Sequence, residues 1–374
     1  MNIVPSIRLL KVTRAFGRTK AIDRFSLEIA DGEYVCILGP TGAGKTTLLR
    51  LVAGLETVTS GMIEIDGKDV TNISPEDRNS SYVPQQYALF PHMTVRDNVA
   101  FGPLARGLTP EESLETADEM LKLVRLSHRA TAFPHELSGG MQQRVALARG
   151  LAGHSALLLL DEPLGAIDAR LRVILRYELR RLAKGLGVTV LHVTHDQQEA
   201  MSIADRIAVL REGALQQFGR PSEIYDAPES PFLANFVGGA NFLEGVVVQE
   251  ERDATVIDVA EGFSITSSHD GHGRGDLVVT SFRQEGTLIL TNAGTEENVV
   301  PGRLVSTSFL GSFLRCVFNL GIIGEVIAKV PMHEALELGL PDRIGEVVYL
   351  RANRDRVMIF DRPERPLAVE LEAF

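Results

Sequence analysis

The sequence contains only two cysteines, Cys36 and Cys316, among 374 residues. They lie far apart in the chain, and each has apolar neighbours. Two buried, reduced thiols explain them better than a disulfide or a metal-binding pair. The cysteine content therefore suits a protein of the reducing cytosol.

Long apolar segments are also absent. The most apolar short run, residues 156–160, is far below the ~20 residues that span a bilayer. The first residues, 1–5, show no basic region followed by an apolar core, so we expect no export signal. The chain is expected not to cross a membrane by itself, and any membrane role must come through a partner.

An excess of positive charge is missing as well. The 38 Lys and Arg residues against 49 Asp and Glu residues give a net charge of −11. Because nucleic-acid phosphates bind basic surfaces, this balance disfavours a nucleic-acid partner. The hydrophobic share of 44% is that of an ordinary globular protein, and the chain is long enough for two or three domains.

Strand and helix patterns alternate over the first 240 residues. Apolar stretches, typical of strands buried on both faces, occupy residues 34–38, 157–160 and 188–193, the first two without interruption. Helical patterns occupy residues 45–52, 94–152 and 169–184. We expect Gly185 to end the last of these helices. The alternation predicts an α/β fold with a parallel sheet wound by right-handed crossovers.

The composition changes near Gly238-Gly239, after which apolar runs are short and bounded by turns. These runs occupy residues 277–282, 303–309, 314–320, 347–350 and 357–360. They predict a small all-β barrel or sandwich. We therefore expect one domain over residues 1–238, with a helical subdomain over about 88–155, and a second domain over residues 239–374.

A glycine-rich segment follows the first apolar stretch directly: Gly39-Pro40-Thr41-Gly42-Ala43-Gly44-Lys45-Thr46-Thr47. Its glycines let backbone N–H groups approach phosphate oxygens, and the following helix adds the positive end of its dipole. Lys45 supplies a charge to the β- and γ-phosphates, and Thr46 supplies a hydroxyl to Mg²⁺. The segment therefore predicts a phosphate-binding loop with ATP and Mg²⁺ as ligands.

Two carboxylates, Asp161 and Glu162, end the second apolar stretch. Asp161 can reach the coordination shell of Mg²⁺, and Glu162 can deprotonate the attacking water, a role worth about 10²–10⁴ in rate. Alternatively, the two acids only cap the next turn, which the upstream phosphate loop disfavours. His195 follows the third apolar stretch, so its imidazole is expected near the γ-phosphate.

A second turn suited to anions occurs at Leu137-Ser138-Gly139-Gly140-Met141-Gln142-Gln143-Arg144. Ser138 is a good N-cap, two glycines open the backbone, and helix formers follow. The result is a helix N-terminus that can hold an anion. Although a Ser-Gly-Gly turn before a helix is common, its presence beside a phosphate loop suggests a nucleotide bound from two sides.

These motifs resemble those of the ATP-binding subunits of ABC importers, the class that carries an extra C-terminal β-domain. The segment 137–143 is similar to the family signature, 83–92 to its Q-loop and 164–168 to its D-loop. The resemblance implies a P-loop NTPase core with a helical subdomain, followed by a small all-β domain of the OB- or MOP-like kind. It also implies an ATPase coupled to transport.

The resemblance further assigns roles to single residues. Gln85 matches the glutamine that senses Mg²⁺ and the membrane subunit, and His195 matches the switch histidine. Phe16 falls where an aromatic ring stacks on adenine, and Asp168, in the D-loop segment, joins the nucleotide-binding set. In the C-terminal domain, Phe282-Arg283-Gln284-Glu285 replaces an Arg-Pro-Glu pattern of the family, so the family's regulatory contact is not assigned to these residues. The resemblance implies an accessory or regulatory domain over residues 239–374, and a dimerisation role without a ligand is the alternative.

The partners implied by the resemblance are a second copy of the chain (or a homologous domain), two transmembrane permease subunits and an extracellular or periplasmic solute-binding protein. Each ATP would lie between Lys45 of one copy and Ser138 and Gly140 of the other, at the cytoplasmic face of the membrane. Residues 235–245 are closer to polyamine-type members, whereas 345–361 look more like the sugar type.

Spermidine or putrescine is therefore the expected solute, with sugar, iron or inorganic-anion import as alternatives. A soluble ABC ATPase outside transport predicts coiled-coil or zinc insertions, paired nucleotide domains or basic patches, and the sequence displays none of these. An export ATPase would usually lack a domain such as 239–374.

Overall fold

The computed structural model describes residues 7–251, 253–260, 262–269, 271–293 and 296–372. The chain divides into two compact units between Ile224 and Tyr225. The second unit therefore begins earlier than the composition change at Gly238-Gly239 on which the predicted boundary was based.

The described residues of the first unit contain ten strands: β1 (Ile7–Phe16), β2 (Thr19–Ile29), β3 (Tyr34–Leu38), β4 (Ser60–Ile65), β5 (Lys68–Asp69), β6 (Ser80–Val83), β7 (Leu157–Asp161), β8 (Thr189–Val193), β9 (Arg206–Arg211) and β10 (Ala214–Gly219). Its helices are α1 (Lys45–Ala53), α2 (Val95–Ala105), α3 (Pro110–Leu123), α4 (Gly139–Ala152), α5 (Ala169–Leu186) and α6 (Gln197–Ile203). Helix α7 (Pro221–Asp226) crosses the division between the units.

The central sheet has six strands in the order β10-β9-β3-β8-β7-β6. Five of them run parallel, which confirms the prediction, while β10 adds an antiparallel edge. Every residue of β3, β7 and β8 is buried, as the apolar stretches predicted. Because the carboxyl ends of parallel strands meet at one edge, the segments after these three strands are brought together.

A second, antiparallel sheet of the first unit has the order β2-β1-β4-β5. Helix α1 contributes to the core that both sheets share, and Leu48, Leu49 and Val52 are fully buried there. Helices α2, α3 and α4 surround a separate apolar cluster. Thr109 begins α3 with a capping box in which it exchanges hydrogen bonds with Glu112.

Helix α5 ends later than predicted. It continues through Gly185 to Leu186, and Gly187, with a φ of 64°, is the residue that ends it. The Gly187 N–H donates to the carbonyls of Ala183 and Lys184. The left-handed turn and these hydrogen bonds locate the helix end, whereas the helical backbone tolerates Gly185.

The second unit is built from strands β11 (Ala240–Glu251), β12 (Ala254–Ala260), β13 (Phe263–Ser267), β14 (Leu277–Arg283), β15 (Thr287–Leu290), β16 (Val299–Phe309), β17 (Phe313–Asn319), β18 (Glu325–Pro331), β19 (Val347–Ala352) and β20 (Met358–Asp361). Its helices are α8 (Pro231–Phe236), α9 (Met332–Glu337) and α10 (Leu367–Leu371).

These strands form two five-stranded antiparallel sheets, in the orders β13-β12-β11-β14-β20 and β15-β19-β16-β17-β18. Buried residues of both sheets, such as Leu243, Phe318 and Leu350, belong to one apolar core. The prediction of an all-β C-terminal region is confirmed.

Arg283 has a structural role within the second unit. Its guanidinium is buried, donates to the carbonyls of Ala234 and Val237 at 2.5 Å each, and lies 4.2 Å from the centre of the Tyr225 ring. Burial lowers the pKa of Arg283 to about 10. These contacts tie the segment from Tyr225 to Val237 to β14, which explains why that segment belongs to the second unit.

Both cysteines are free and buried, as their apolar neighbours predicted. Burial raises the pKa of Cys316 to about 11 and that of Cys36 well above its ordinary value. Among the described residues, no helix has the length and apolarity needed to cross a bilayer.

Candidate active site

A cavity of about 320 Å³ lies at the carboxyl edge of the parallel sheet. Segments that follow β3, β6, β7 and β8 meet there. Its lining residues are Ala21, Thr41, Gly42, Gly44, Lys45, Thr46, Thr47, Gln85, Glu162 and His195. We call this space the loop cavity. It brings residues predicted to bind phosphate together with Glu162, which is predicted to deprotonate the attacking water.

The glycine loop is shaped by close backbone approaches. Gly44 has a φ of 99°, and a Cβ there would lie 2.3 Å from the Ala21 carbonyl oxygen, so a larger residue would force the loop open. The buried Lys45 ammonium donates to the carbonyls of Gly39 and Pro40 at 2.8 Å each. Burial lowers the pKa of Lys45. The loop thus holds a cation where phosphate oxygens can reach it.

Asp161 lies at the end of β7, where it is 1% exposed. One carboxylate oxygen accepts from the Thr46 hydroxyl at 3.1 Å and the other from the Tyr82 hydroxyl at 3.3 Å. Burial raises the pKa of Asp161, and the two hydrogen bonds oppose that shift. A hydroxyl and a carboxylate are thereby held side by side at the start of α1.

Glu162 is held at both carboxylate oxygens. The Gln85 amide donates to one at 2.9 Å, and Nδ1 of His195 lies 3.0 Å from the other. The backbone of Glu162 has a φ of 48°, and its N–H donates to the Val193 carbonyl at 2.9 Å. Two segments far from Glu162 in sequence, at Gln85 and at 193–195, therefore orient its carboxylate toward the loop cavity.

The turn before α4 has the predicted capping geometry but lies outside the lining of the loop cavity. The Ser138 hydroxyl accepts from the Met141 N–H at 3.4 Å. Gly139 and Gly140 open the helix, and a Cβ on Gly140 would lie 2.8 Å from the Ala166 carbonyl oxygen. At Gly139 a Cβ would lie 3.0 Å from the Tyr87 hydroxyl, so both glycines allow close approaches at the start of α4.

Asp168 and Phe16 also lie outside that lining. Asp168 is the N-cap of α5 and accepts from the Leu171 N–H at 2.9 Å. The Phe16 ring, 49% exposed at the end of β1, has the Arg14 guanidinium 4.4 Å from its centre. The predicted nucleotide-binding residues therefore form two groups, one around the loop cavity and one elsewhere on the first unit.

Two residues that contact the site, Tyr82 and Gln143, have no role predicted from the sequence. Tyr82 belongs to β6, which pairs with β7, and its hydroxyl reaches Asp161. Gln143, in α4, bonds the backbone of the loop that follows β7. The short strand β6, Ser-Ser-Tyr-Val, has no alternating pattern that singles out Tyr82, and the partners of both residues are defined only by the fold.

The fold and the loop cavity define the class of protein: a P-loop nucleotide hydrolase with a helical subdomain. The sequence model of the family described as ABC transporter matches residues 22–165. The chain is 41% identical over 336 residues to the spermidine/putrescine import ATP-binding protein PotA of Trichodesmium erythraeum, covering 88% of each chain.

The chain is also similar to a second sequence relative and to a solved structure. The Fe(3+) ions import ATP-binding protein FbpC of Agrobacterium fabrum is 43% identical over 309 residues, which is 83% of this chain and 86% of the relative. The dimeric post-hydrolysis structure of the ATP-binding cassette MJ0796, bound to ADP and Pi, aligns with a TM-score of 0.53 at 32% identity. It covers 57% of this chain and 98% of the solved one.

The chain belongs to the family of ABC transporter ATP-binding subunits. It is an ATPase, and the family and fold class predicted from the motifs are confirmed.

Proposed function

We propose that the chain hydrolyses ATP at a site completed by a second copy, and that this hydrolysis energises solute import. The observation that carries the proposal is the position of Glu162. Its carboxylate lies in the loop cavity between the Gln85 amide and the His195 imidazole.

Hydrolysis requires a water molecule to lose a proton as it attacks the γ-phosphorus, and Glu162 is the carboxylate placed to accept it. Lys45 binds the β- and γ-phosphates and stabilises the negative charge on their oxygens as the bond to ADP breaks. His195 contacts the γ-phosphate and keeps Glu162 oriented. The products are ADP and phosphate.

Mg²⁺ is the cation we assign to the nucleotide, and the residues present fit it. Thr46 and Asp161 offer a hydroxyl and a carboxylate 3.1 Å apart, and Gln85 lines the same cavity. Oxygen ligands of this kind, together with phosphates and water, are those that Mg²⁺ prefers. When bound, the ion neutralises charge on the β- and γ-phosphates.

A second copy of the chain completes the site in this proposal. Ser138, Gly139, Gly140 and Asp168 are suited to a nucleotide but lie outside the loop cavity of their own chain. In a head-to-tail dimer they would contact the nucleotide held by the partner's loop, with Phe16 stacking on adenine. The dimeric structure of the related cassette supports this arrangement.

The transport partners are part of the proposal and are inferred from the family. We assign two transmembrane permease subunits and an extracellular or periplasmic solute-binding protein to the complex, with this chain at the cytoplasmic face of the membrane. Closure of the dimer on ATP and opening after hydrolysis would shift the permeases between their two orientations, since the γ-phosphate favours the closed state.

Spermidine or putrescine is the solute that we propose. Relatives named for polyamine import are 40–42% identical over most of this chain, and one is 49% identical over 68% of it. Fe(3+) is the second candidate, because relatives named for its import reach 49% identity over 68% of the chain.

Reconstitution distinguishes the two solutes. The chain is co-purified with the permeases and binding protein encoded beside its gene and placed in proteoliposomes with ATP on its own side. We expect radiolabelled spermidine or putrescine to accumulate, unlabelled polyamine to compete, and a complex carrying Glu162→Gln to transport neither. ATP-dependent accumulation of Fe(3+) without polyamine uptake would contradict the polyamine assignment and favour the iron alternative.

A further inference from the structure

Gln143 connects α4 to the loop that carries the catalytic carboxylate. Its side chain is only 4% exposed. The side-chain amide donates to the Glu162 carbonyl at 2.8 Å, and the side-chain oxygen accepts from the Ala166 N–H at 2.7 Å. One amide therefore clamps both ends of the turn from Glu162 to Ala166.

This clamp acts on a backbone that needs support. A φ of 48° at Glu162 is in the left-handed region, which non-glycine residues adopt only where neighbouring contacts impose it. The Glu162 N–H is fixed by the Val193 carbonyl, and Gln143 fixes the Glu162 carbonyl. The direction in which the Glu162 side chain leaves the backbone is thus set from both sides.

The same helix begins at the proposed contact with the partner's nucleotide. Gly139 and Gly140 precede Gln143 by four and three residues, so they share one face of α4 with it. The close approach of Gly140 to the Ala166 carbonyl, where a Cβ would lie at 2.8 Å, brings the helix start against the same turn. The first turn of α4 therefore meets the catalytic turn at two places, first at Gly140 and then, three residues later, at Gln143.

We propose that Gln143 is a positioning residue that orients Glu162 and couples it to the nucleotide held at the start of α4. The inference rests on the proposed function, in which Glu162 is the base and that nucleotide belongs to the partner's loop. Occupation of one site is then transmitted along one turn of α4 to the carboxylate that acts in the other site.

The test replaces Gln143 by Met, which has a similar size but exchanges no hydrogen bonds with the turn. In the full-length chain we expect kcat to fall by about 10- to 100-fold, because small displacements of catalytic groups have effects of this size. We expect the KM for ATP to change by less than about twofold, since the phosphate loop is untouched. The Hill coefficient for ATP should fall from above 1 toward 1.

Two further variants separate positioning from general stability. Gln143→Glu keeps an acceptor for the Ala166 N–H but sets an oxygen against the Glu162 carbonyl, so kcat should again fall with KM unchanged even if the Met variant folds poorly. Asn241 is the matched control, because its buried amide exchanges two hydrogen bonds with the Ile327 backbone at 2.9 and 2.8 Å in the second unit. Asn241→Leu should lower thermal stability and leave kcat unchanged.

Wild-type kcat in both Gln143 variants, alongside an inactive Glu162→Gln enzyme, would overturn this inference while leaving the proposed function intact. A Glu162→Gln enzyme with normal turnover would instead remove the proposed function. Reduced kcat with undiminished cooperativity would overturn the coupling between sites, whereas reduced kcat and lost cooperativity together support the whole proposal.

Discussion

The Glu162→Gln enzyme is expected to bind ATP with near wild-type affinity while its hydrolysis rate falls by at least about 100-fold. The amide has the shape of the carboxylate but cannot accept the proton of the attacking water. Lys45 and the glycine loop, which bind the phosphates, are unchanged. Since ATP is then not consumed, a dimer closed on the nucleotide should accumulate and be visible by size-exclusion chromatography with ATP.

The matched control is Glu178→Gln, which makes the same chemical change on α5. Glu178 pairs with Arg181 at 2.7 Å and lies outside the lining of the loop cavity. It should hydrolyse ATP within about twofold of the wild-type rate, since isolated surface pairs contribute little. Near-normal turnover by Glu162→Gln would remove Glu162 as the base.

The Lys45→Ala chain should lose most of its affinity for ATP. A hydrogen bond to a charged group contributes about 1.5–3 kcal/mol, which corresponds to roughly 10- to 150-fold in Kd. The Lys45 ammonium is buried in the loop and held by two carbonyls. Among the described residues that line the loop cavity, no other Lys or Arg is present to replace it. Titration of each chain with a fluorescent ATP analogue measures the change.

Arg50→Ala provides the comparison, because Arg50 is an exposed cation on the same helix, α1. Its Kd for ATP should stay within about twofold of wild type, since an exposed charge is screened by solvent and salt. Melting temperatures of both variants check that the fold is kept. An unchanged Kd in Lys45→Ala would contradict the assignment of the phosphate loop.

The central part of the site could be predicted from the sequence because local patterns determine it. Apolar stretches identified β3, β7 and β8, and the segments following them had to meet at one sheet edge. It could therefore be predicted, without knowing any other contact, that the glycine loop lies close to Asp161, Glu162 and His195.

The positions of Tyr82 and Gln143 at the site depend instead on distant pairings. Tyr82 reaches Asp161 across 79 residues of sequence, and Gln143 reaches Glu162 across 19. No local pattern encodes which backbone group a buried amide will meet, because the packing of α4 against the loop decides it.

In the second unit, the sequence pattern likewise did not predict every strand. Strand β18 alternates buried and half-buried residues, and only Val326, Ala328 and Val330 face the core. Such a strand lacks the continuous apolar run by which β3 and β7 were recognised. Antiparallel strands with one exposed face carry a weaker signal than the doubly covered strands of the first unit.

The claim that two copies complete each ATP site can be tested by mixing two inactive variants. Lys45→Ala removes the phosphate loop's cation. Ser138→Asp keeps an N-cap for α4. It places a negative charge where the γ-phosphate of the ATP held by the partner's loop would bind. Each variant alone forms dimers in which both sites are defective, whereas a mixed dimer retains one complete site.

An equimolar mixture should therefore regain ATPase activity up to a ceiling of about a quarter of wild type, because random pairing makes half of the dimers mixed and each of these has one complete site of two. Activity well above that of either variant alone is the result that the composite site predicts, and coupling to the defective second site lowers it below the ceiling. A mixture no more active than the average of its two components would contradict it, since a site built within one chain could not be restored by mixing.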